Sequence, residues 1–368
     1  MPESRPAPES TPPDALTAPG SYQPLVDHWG PFPDLAAARL PEPALVLIDE
    51  RVAKLHPRVM KALKPRAAAV VSLRAGENAK TMGTLDRVVR AANALPRSGA
   101  VVCIGGGTIG DLGTVAAHLI KRGVRLLHVP TTLLAAVDSS VGGKGALHSG
   151  GQRPVKNAIG VFHYPTECWL CPELFATLKP KQLREGAVEA FKMVVTLSEE
   201  RWLQYRNGPP AQEQLIRDAR ALKAKVCDED PYEHEGLRRV LNFGHTFGHV
   251  IESVTRFSVS HGDAVGLGML CALDVGLELG VTVEQVGEEV EEVLLGNAGV
   301  LGRGALADAL ADARLAEVEG LLAADKKTAR PGELRMVLLR EPGRSEVRPV
   351  PREVWRRLWP AWRKGARP

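Results

Sequence analysis

Between about residues 40 and 135 the chain alternates two patterns. Short apolar runs, Leu45–Ile48, Ala69–Leu73, Ala100–Ile104 and Val124–Val129, are bounded by Gly, Pro or charge. Between them, Ala79–Ala94 and Ile109–Arg122 carry helical spacing. Strand, helix and strand in this order predict a parallel sheet with helices on its faces. Near-continuous apolar runs suit strands buried on both sides. Beyond about residue 175, helical periodicity takes over in Lys181–Leu197, Glu213–Val226, Arg239–Thr255, Gly262–Leu279 and Val283–Leu295, with Leu334–Leu339 as a late strand. The expected fold class is therefore α/β plus all-α: a nucleotide domain over residues 21–177, then a mostly helical domain over 178–368. Residues 1–20, rich in Pro, Ser and Glu, read as a disordered tail. No internal repeat is apparent, and the cleft between two such domains is a common ligand site.

Composition narrows the function. The 368 residues are 44% apolar and 24% charged, ordinary for a globular chain with a sizeable core. Aromatics at 5% argue against a stacking platform for single-stranded nucleic acid. The net charge of +4 is too small to imply a polyanion partner, and fits a few Lys and Arg aimed at an anionic small molecule. Cys103, Cys168, Cys171, Cys227 and Cys271 are odd in number and mostly inside apolar runs, so no disulfide framework and a cytoplasmic setting are expected. No apolar run is long enough to cross a bilayer, and no signal pattern opens the chain. The expected partner is thus a small molecule, with no nucleic acid and no membrane.

Three motifs carry candidate chemistry. Val101–Ile104 runs into Gly105-Gly106-Gly107-Thr108-Ile109-Gly110-Asp111, a turn whose backbone can approach a pyrophosphate at a helix N-terminus. Alone this is a weak signal: it follows a late strand, no acidic residue ends the next strand, and a plain Gly-rich turn fits too. Asn242-Phe243-Gly244-His245-Thr246-Phe247-Gly248-His249 places two imidazoles four residues apart, on one face of a helix. His261 opens another helix, and Glu189 sits amid apolar residues where an unpaired carboxylate is costly. A single His is usually a hydrogen-bonded core residue, but three His and a Glu on successive helices point to a divalent metal. Cys168-Trp169-Leu170-Cys171 has no second pair and reads as strand or turn packing. Lys144, Lys156, Lys192, Lys223, Arg122, Arg238, Lys326 and Lys327 would suit a phosphate and a carboxylate, although each taken singly is more often a solvated cation.

Taken together, GGGxxGD, PTTLLAxVDSSVGGK, GAVEAFK, LNFGHTFGH and HGDAVGLGM make the chain resemble the dehydroquinate synthase family of sugar-phosphate cyclases, from about Leu73 to Leu339. The resemblance implies a Rossmann-like NAD-binding domain, a helical metal-binding domain and a homodimer. It implies zinc or cobalt on Glu189, His245 and His261. NAD would lie on Asp49, Glu77, Lys80, Gly106, Gly107, Asp111, Thr131 and Thr132. The catalytic set would be Asp138, Lys144, Lys192, Asn242 and His249. The phosphorylated sugar acid would be bound by Lys156, Asn157, Lys223, Arg238 and one Lys of Lys326-Lys327, with Arg122 reaching across the dimer. In this family NAD oxidises the C5 hydroxyl of 3-deoxy-D-arabino-heptulosonate 7-phosphate, phosphate leaves by β-elimination, NADH restores the alcohol, and an aldol step closes the ring.

Within the family, 2-deoxy-scyllo-inosose synthases carry Glu in place of Asn242, and sedoheptulose-phosphate cyclases carry Asp there and lack the second His. Asn242, His249 and Lys223 thus favour the dehydroquinate branch. The chain departs after Lys144, where Gly145-Ala146-Leu147-His148 replaces the usual Thr-Gly-x-Asn and the loop to Lys156 is longer. That keeps a sister cyclase open. A metal-dependent polyol dehydrogenase and a non-catalytic NAD-binding regulator are further alternatives. The basic, aromatic run Trp355–Lys364 reads as a packed terminal helix interrupted by Pro360.

Overall fold

The structure, a computed structural model, describes residues 21–150, 155–324 and 334–368. In chain order the first part contains β1 (Val26–Trp29), α1 (Phe32–Arg39), β2 (Ala44–Asp49), α2 (Glu50–Leu55), α3 (Pro57–Leu63), β3 (Ala67–Leu73), α4 (Met82–Ala91), β4 (Ala100–Gly105), α5 (Gly107–Leu119), β5 (Arg125–Pro130), β6 (Lys144–Leu147), β7 (Ile159–Phe162) and β8 (Glu167–Leu170). The second contains α6 (Pro180–Leu197), α7 (Glu199–Tyr205), α8 (Gln212–Glu229), α9 (His245–Val254), α10 (His261–Glu278), α11 (Glu284–Gly296), α12 (Arg303–Leu310), α13 (Leu315–Ala324), β9 (Leu334–Glu341), β10 (Arg344–Val350) and α14 (Arg352–Trp362).

Six strands form a parallel sheet in the order β1-β8-β5-β4-β2-β3. The apolar runs are buried on both faces, as their composition requires. Leu45, Leu47, Val101 and Cys103 pack with Leu112 and Val115 of α5, whereas Val46, Ile48, Val102 and Ile104 pack with Phe32, Val59 and Leu63 on the other face. The order runs outward from β2 to β3 on one side and from β4 through β5 on the other. The chain therefore reverses its winding between β2 and β4, and the crevice at their C-terminal ends is where such sheets bind ligands. This explains how the Gly turn sits at a ligand site although it follows the fourth strand.

The helical part packs on α10, whose residues from Gly262 to Gly276 are all buried. A helix buried all round belongs inside a core, and its two buried carboxylates, Asp263 and Asp274, are paired with Arg184 and Arg303. That core also takes in Leu133, Ala136 and Val137 from the turn after β5, so sheet and helices share it.

Several expected boundaries move. Arg239–Thr255 is not one helix: a 3-10 turn over Leu237–Asn242 ends at Gly244, where φ is 79°, and α9 begins at His245. The cause is close approach to α10, since a Cβ on Gly244 would lie 2.6 Å from the Val265 carbonyl and one on Gly268 2.0 Å from the Gly244 carbonyl. α4 starts at Met82 rather than Ala79 because Thr81 caps it, accepting the Thr84 N–H at 3.1 Å. α5 ends at Leu119, and Lys121 and Arg122 turn left-handed, with φ of 52° and 66°. Pro360 does not interrupt the terminal helix. It lies in the last turn of α14, which continues to Trp362. The burial of Trp362 against Phe247, and its Nε1–H donated to Asp274 at 2.7 Å, hold that turn in place. Arg303 grips the same Asp274 with two nitrogens at 2.8 and 2.9 Å. The Cys168–Cys171 pair is β8 and its exit, fully buried, and the described cysteines are free. No described helix is long and apolar enough to cross a membrane.

Two buried imidazoles make the fold acid-sensitive. Burial, reinforced by Arg220 and His163, pushes His128 down to about 4, and burial likewise pushes His163 to about 4 although its Nε2–H donates to the Val124 carbonyl. Between about pH 4 and 6.5 the unfolded chain binds more protons at these sites than the folded one, so stability falls as pH drops through that window. At about pH 5.5 the loss is on the order of 1 kcal/mol per histidine. Urea titrations from pH 7 to 5 should show this decline, and His128→Gln with His163→Gln should flatten it.

Candidate active site

Glu189 lies in the middle of α6, fully buried. Lys192, one turn on and also buried, places Nζ 2.6 Å from Oε2, yet no hydrogen bond of good geometry reaches either carboxylate oxygen. Two imidazoles face it: His245 Nε2 at 3.7 Å and His261 Nε2 at 3.6 Å from Oε1. The break at Gly244 puts His245 in the first turn of α9, beside His261 at the start of α10. One donor atom from each of the three residues lies within 4.8 Å of the others.

The far side of each ring decides what this cluster can do. His261 Nδ1 is 3.5 Å from Glu252 Oε2, and His245 Nδ1 faces the Phe243 carbonyl at 3.3 Å. Both acceptors favour a proton on Nδ1 and leave the Nε2 lone pair aimed at Glu189, the arrangement a metal-binding histidine needs. Two neutral nitrogens and a carboxylate lacking hydrogen-bond donors fit a divalent ion with open positions. Burial disfavours charge on His261, but the Glu252 hydrogen bond and the Glu189 carboxylate raise its pKa above the ordinary value. Burial also opposes charge on Glu252, but His261 and Lys156 outweigh it and bring the pKa to about 2. His249 is exposed, its ring 5.6 Å from that of His245 and 6.4 Å from that of His261.

Across the crevice lies the Gly turn. The Thr131 N–H donates to the Gly105 carbonyl at 3.0 Å, joining the ends of β4 and β5. A Cβ on Gly106 would lie 3.1 Å from Thr132 Cγ2, and one on Gly107 3.2 Å from Ser139 Oγ. No side chain caps α5. Its first amides are thus bare at a helix N-terminus, which fits a pyrophosphate. Buried Lys80 joins Asp111 Oδ2 at 2.7 Å and Asn157 Oδ1 at 2.6 Å, with Glu77 at 4.0 Å. Burial pushes the Asp111 carboxyl up, and Lys80 offsets part of that. Asp49 caps α2 by accepting the Arg51 N–H at 2.9 Å. It lines a cleft of 370 Å³ with Glu50, Arg51, Lys54, Arg74 and Ala75.

The remaining candidates divide by location. Asp138 lies on a π-turn, Ala135–Ser139, where Lys223 Nζ reaches its Oδ1 at 2.8 Å and its carbonyl at 2.7 Å. Burial would raise the Asp138 pKa, but Lys223 and Lys192 hold it well below the usual range. Lys156 pairs with Glu252 at 3.2 Å, and half-exposed Lys144 with Glu233 at 2.6 Å. Arg238 is buried and donates to the carbonyls of Pro231 at 2.9 Å and Gly142 at 3.2 Å, so it holds the turn before Lys144. Asn157 faces Lys80 on the dinucleotide side. Asn242 ends the turn before the histidines. Arg122 is exposed and is not drawn into the cluster. Lys326 and Lys327 lie outside the described residues.

Sequence reasoning missed Glu252, Arg220 and Asp27. Glu252 follows His245 by seven residues on one helix, a spacing that signals a shared face. Arg220 interrupts an apolar face of α8. It binds Asp27 at 2.5 and 2.7 Å, the Ala136 carbonyl at 2.6 Å and Ser140 Oγ at 2.7 Å, and so braces the π-turn.

Comparison with known proteins decides the family. The descriptions "3-dehydroquinate synthase N-terminal" and "3-dehydroquinate synthase C-terminal" match residues 70–185 and 186–328. The chain belongs to the 3-dehydroquinate synthase family. It is 35% identical to the 3-dehydroquinate synthase of Paracoccus denitrificans over 329 residues, 85% of this chain and 88% of that protein. It is also 37% identical to a 2-epi-valiolone synthase of Actinosynnema mirum over 266 residues, 68% of each. Among solved structures, 2-deoxy-scyllo-inosose synthase complexed with carbaglucose-6-phosphate, NAD+ and Co2+ superposes with a TM-score of 0.78 at 24% identity, covering 92% of this chain and 96% of that one. The shared fold is thus that of sugar-phosphate cyclases.

Calorimetric titration with Zn2+ should give one tight site per chain, removed by Glu189→Gln. Glu252→Gln should weaken it by about 10- to 100-fold, because it leaves the His261 ring without its orienting carboxylate.

Proposed function

We propose that this chain is a 3-dehydroquinate synthase, a carbon–oxygen lyase converting 3-deoxy-D-arabino-heptulosonate 7-phosphate to 3-dehydroquinate and phosphate in the shikimate pathway. The observation that carries this reading is the convergence of Glu189, His245 and His261 beside lysines suited to an anionic substrate. The names of its relatives and the NAD+ and Co2+ of the superposed cyclase support it. Glu189, His245 and His261 would hold zinc or cobalt. The bare turn at Gly106 and Gly107, with Glu77, Lys80, Asp111, Thr131, Thr132 and Asp49, would hold NAD. When bound, the two supply reversible hydride transfer and polarisation of an alcohol oxygen.

The chain's own residues do the rest. Lys144, Lys156, Lys192 and Lys223 offer positive charge to the substrate phosphate and carboxylate, where charge-assisted bonds are strongest. Asp138, kept ionised by Lys223, accepts from a sugar hydroxyl. His249, exposed beside the centre, can move a proton on a hydroxyl near it. Asn242 holds substrate polar groups beside the histidines. In the elimination the proton on the neighbouring carbon passes to a phosphate oxygen, the C–H pair becomes the C=C bond, and the phosphate departs with the C–O pair into the lysine-lined cleft. In this reading the enzyme is a cytoplasmic homodimer, and the exposed Arg122 reaches the phosphate bound by a second copy.

A sister cyclase is the second reading, favoured by two observations: the chain is as close to 2-epi-valiolone synthase as to 3-dehydroquinate synthases, and it departs from the family pattern after Lys144. Metal-loaded protein with catalytic NAD and the seven-carbon keto-acid phosphate should release phosphate and dehydroquinate in equal amounts without net NADH. Turnover of sedoheptulose 7-phosphate or glucose 6-phosphate instead would assign the sister activity. Accumulating NADH without phosphate would assign a polyol dehydrogenase. Lack of turnover on every substrate, with NAD and metal bound, would leave the regulator.

A further inference from the structure

The hairpin formed by β6 and β7 touches both sides of the crevice, and His148 fastens it. The residue follows β6 directly. Its N–H donates to the Lys80 carbonyl at 2.8 Å. Its Nδ1 accepts the Asn157 N–H at 3.1 Å, which places the ring proton on Nε2 in the neutral imidazole. Nε2 lies 3.0 Å from Glu77 Oε2, so that proton has an acceptor. Every polar atom of the ring is therefore engaged, one toward the hairpin's return strand and one toward the segment before α4. Asn157 is left-handed, with φ of 54°, and its Oδ1 accepts from Lys80, which also binds Asp111.

The next residue back points the other way. Lys156 pairs with Glu252, which orients His261. The contacts thus run without a gap from Glu77 through His148, Asn157, Lys156 and Glu252 to His261. Two adjacent residues of one hairpin serve opposite sides of the crevice, and the imidazole fixes their backbone.

We infer that His148 is a positioning residue that latches this hairpin to the dinucleotide side and so sets Lys156 against the metal side, coupling dinucleotide binding to capture of the phosphorylated substrate. The inference rests on the cofactor and substrate assignments proposed above. With the latch made, Glu77 and Lys80 are held in the positions a dinucleotide meets. Without it, the hairpin is free to leave them, and Lys156 leaves with it.

The test measures NAD affinity by calorimetry, with substrate KM and kcat, on the metal-loaded full chain. His148→Ala should weaken NAD by about 10-fold, the scale of losing a hydrogen bond to a charged group. It should raise substrate KM by a similar factor while kcat moves less than about 3-fold, the signature of lost binding rather than lost chemistry. His148→Asn, which keeps one acceptor and one donor, should recover most of both losses. The NAD loss of the His148→Ala/Glu77→Ala double variant should fall short of the sum of the two single losses, because the His148–Glu77 contact is broken in each. Bound zinc should stay at the wild-type level in all of these variants, which separates the effect from unfolding. NAD affinity and KM unchanged in His148→Ala, or losses that add fully, would overturn the inference and leave the cofactor reading standing. A wild-type chain that does not bind NAD would overturn both.

Discussion

Glu189 holds a carboxylate where water does not reach it, and an isolated charge at that depth costs several kcal/mol. The surrounding architecture compensates it. Lys192 comes from the same helix one turn later, and His245 and His261 come from the starts of two other helices. For both imidazoles to arrive, α9 must begin where it does. That demands the left-handed turn at Gly244 and the near-contact of its carbonyl with Gly268 on α10. The glycines of this region are thus consequences of placing one carboxylate between two helix starts. The deep burial of α10 follows too, because a helix whose first residue enters the site must run through the core behind it.

Charge balance extends the constraint across the crevice. Lys80, Lys144, Lys156, Lys192 and Lys223 each face a carboxylate, respectively Asp111, Glu233, Glu252, Glu189 and Asp138. The cleft presents nearly neutral ion pairs rather than a bare basic pocket, in keeping with the small net charge of the whole chain. An anion entering such a site exchanges one partner for another and does not meet unshielded cations. Binding then selects geometry as well as charge, since each lysine is already held by an acceptor at a set position.

Much of this was legible in the residues and much was not. The strands of the sheet centre, the Gly turn and the anomalous Glu189 showed because each is a local signal: an apolar run, a glycine cluster, a charge amid apolar neighbours. β1, β6 and β7 did not show, and β8 showed only as a strand or turn at Cys168–Cys171. Each is four residues long, too short for alternation to stand out, and β1 finds its partner β8 far along the chain. The break at Gly244 was invisible because helical periodicity continues through it, and only the approach of α10 forbids the helix. The partners Glu233 and Glu252 are separated from their lysines by 89 and 96 residues, and no spacing rule spans that distance. The resemblance to a known family named positions, but not which carboxylate holds which lysine.

The pairs differ in how readily they yield, and that orders their roles. Lys192 and Glu189 are both nearly inaccessible, and separating them strands two buried charges, a penalty of about 3–5 kcal/mol. Arg238 is similarly fixed, since redirecting it breaks hydrogen bonds to the Pro231 and Gly142 carbonyls within the core. Lys144, 53% exposed and paired with a partly exposed Glu233, holds a contact of the kind worth at most about 1 kcal/mol. A phosphate or carboxylate of two negative oxygens outcompetes that pair easily. Among the described lysines of the cleft, Lys144 is therefore the most free to move to an incoming anion, while Lys192 and Arg238 keep the framework against which it moves. Selection among related sugar phosphates then falls to the rim. The hairpin that begins at Lys144 carries that rim, whereas Glu189, His245 and His261 are set by the core.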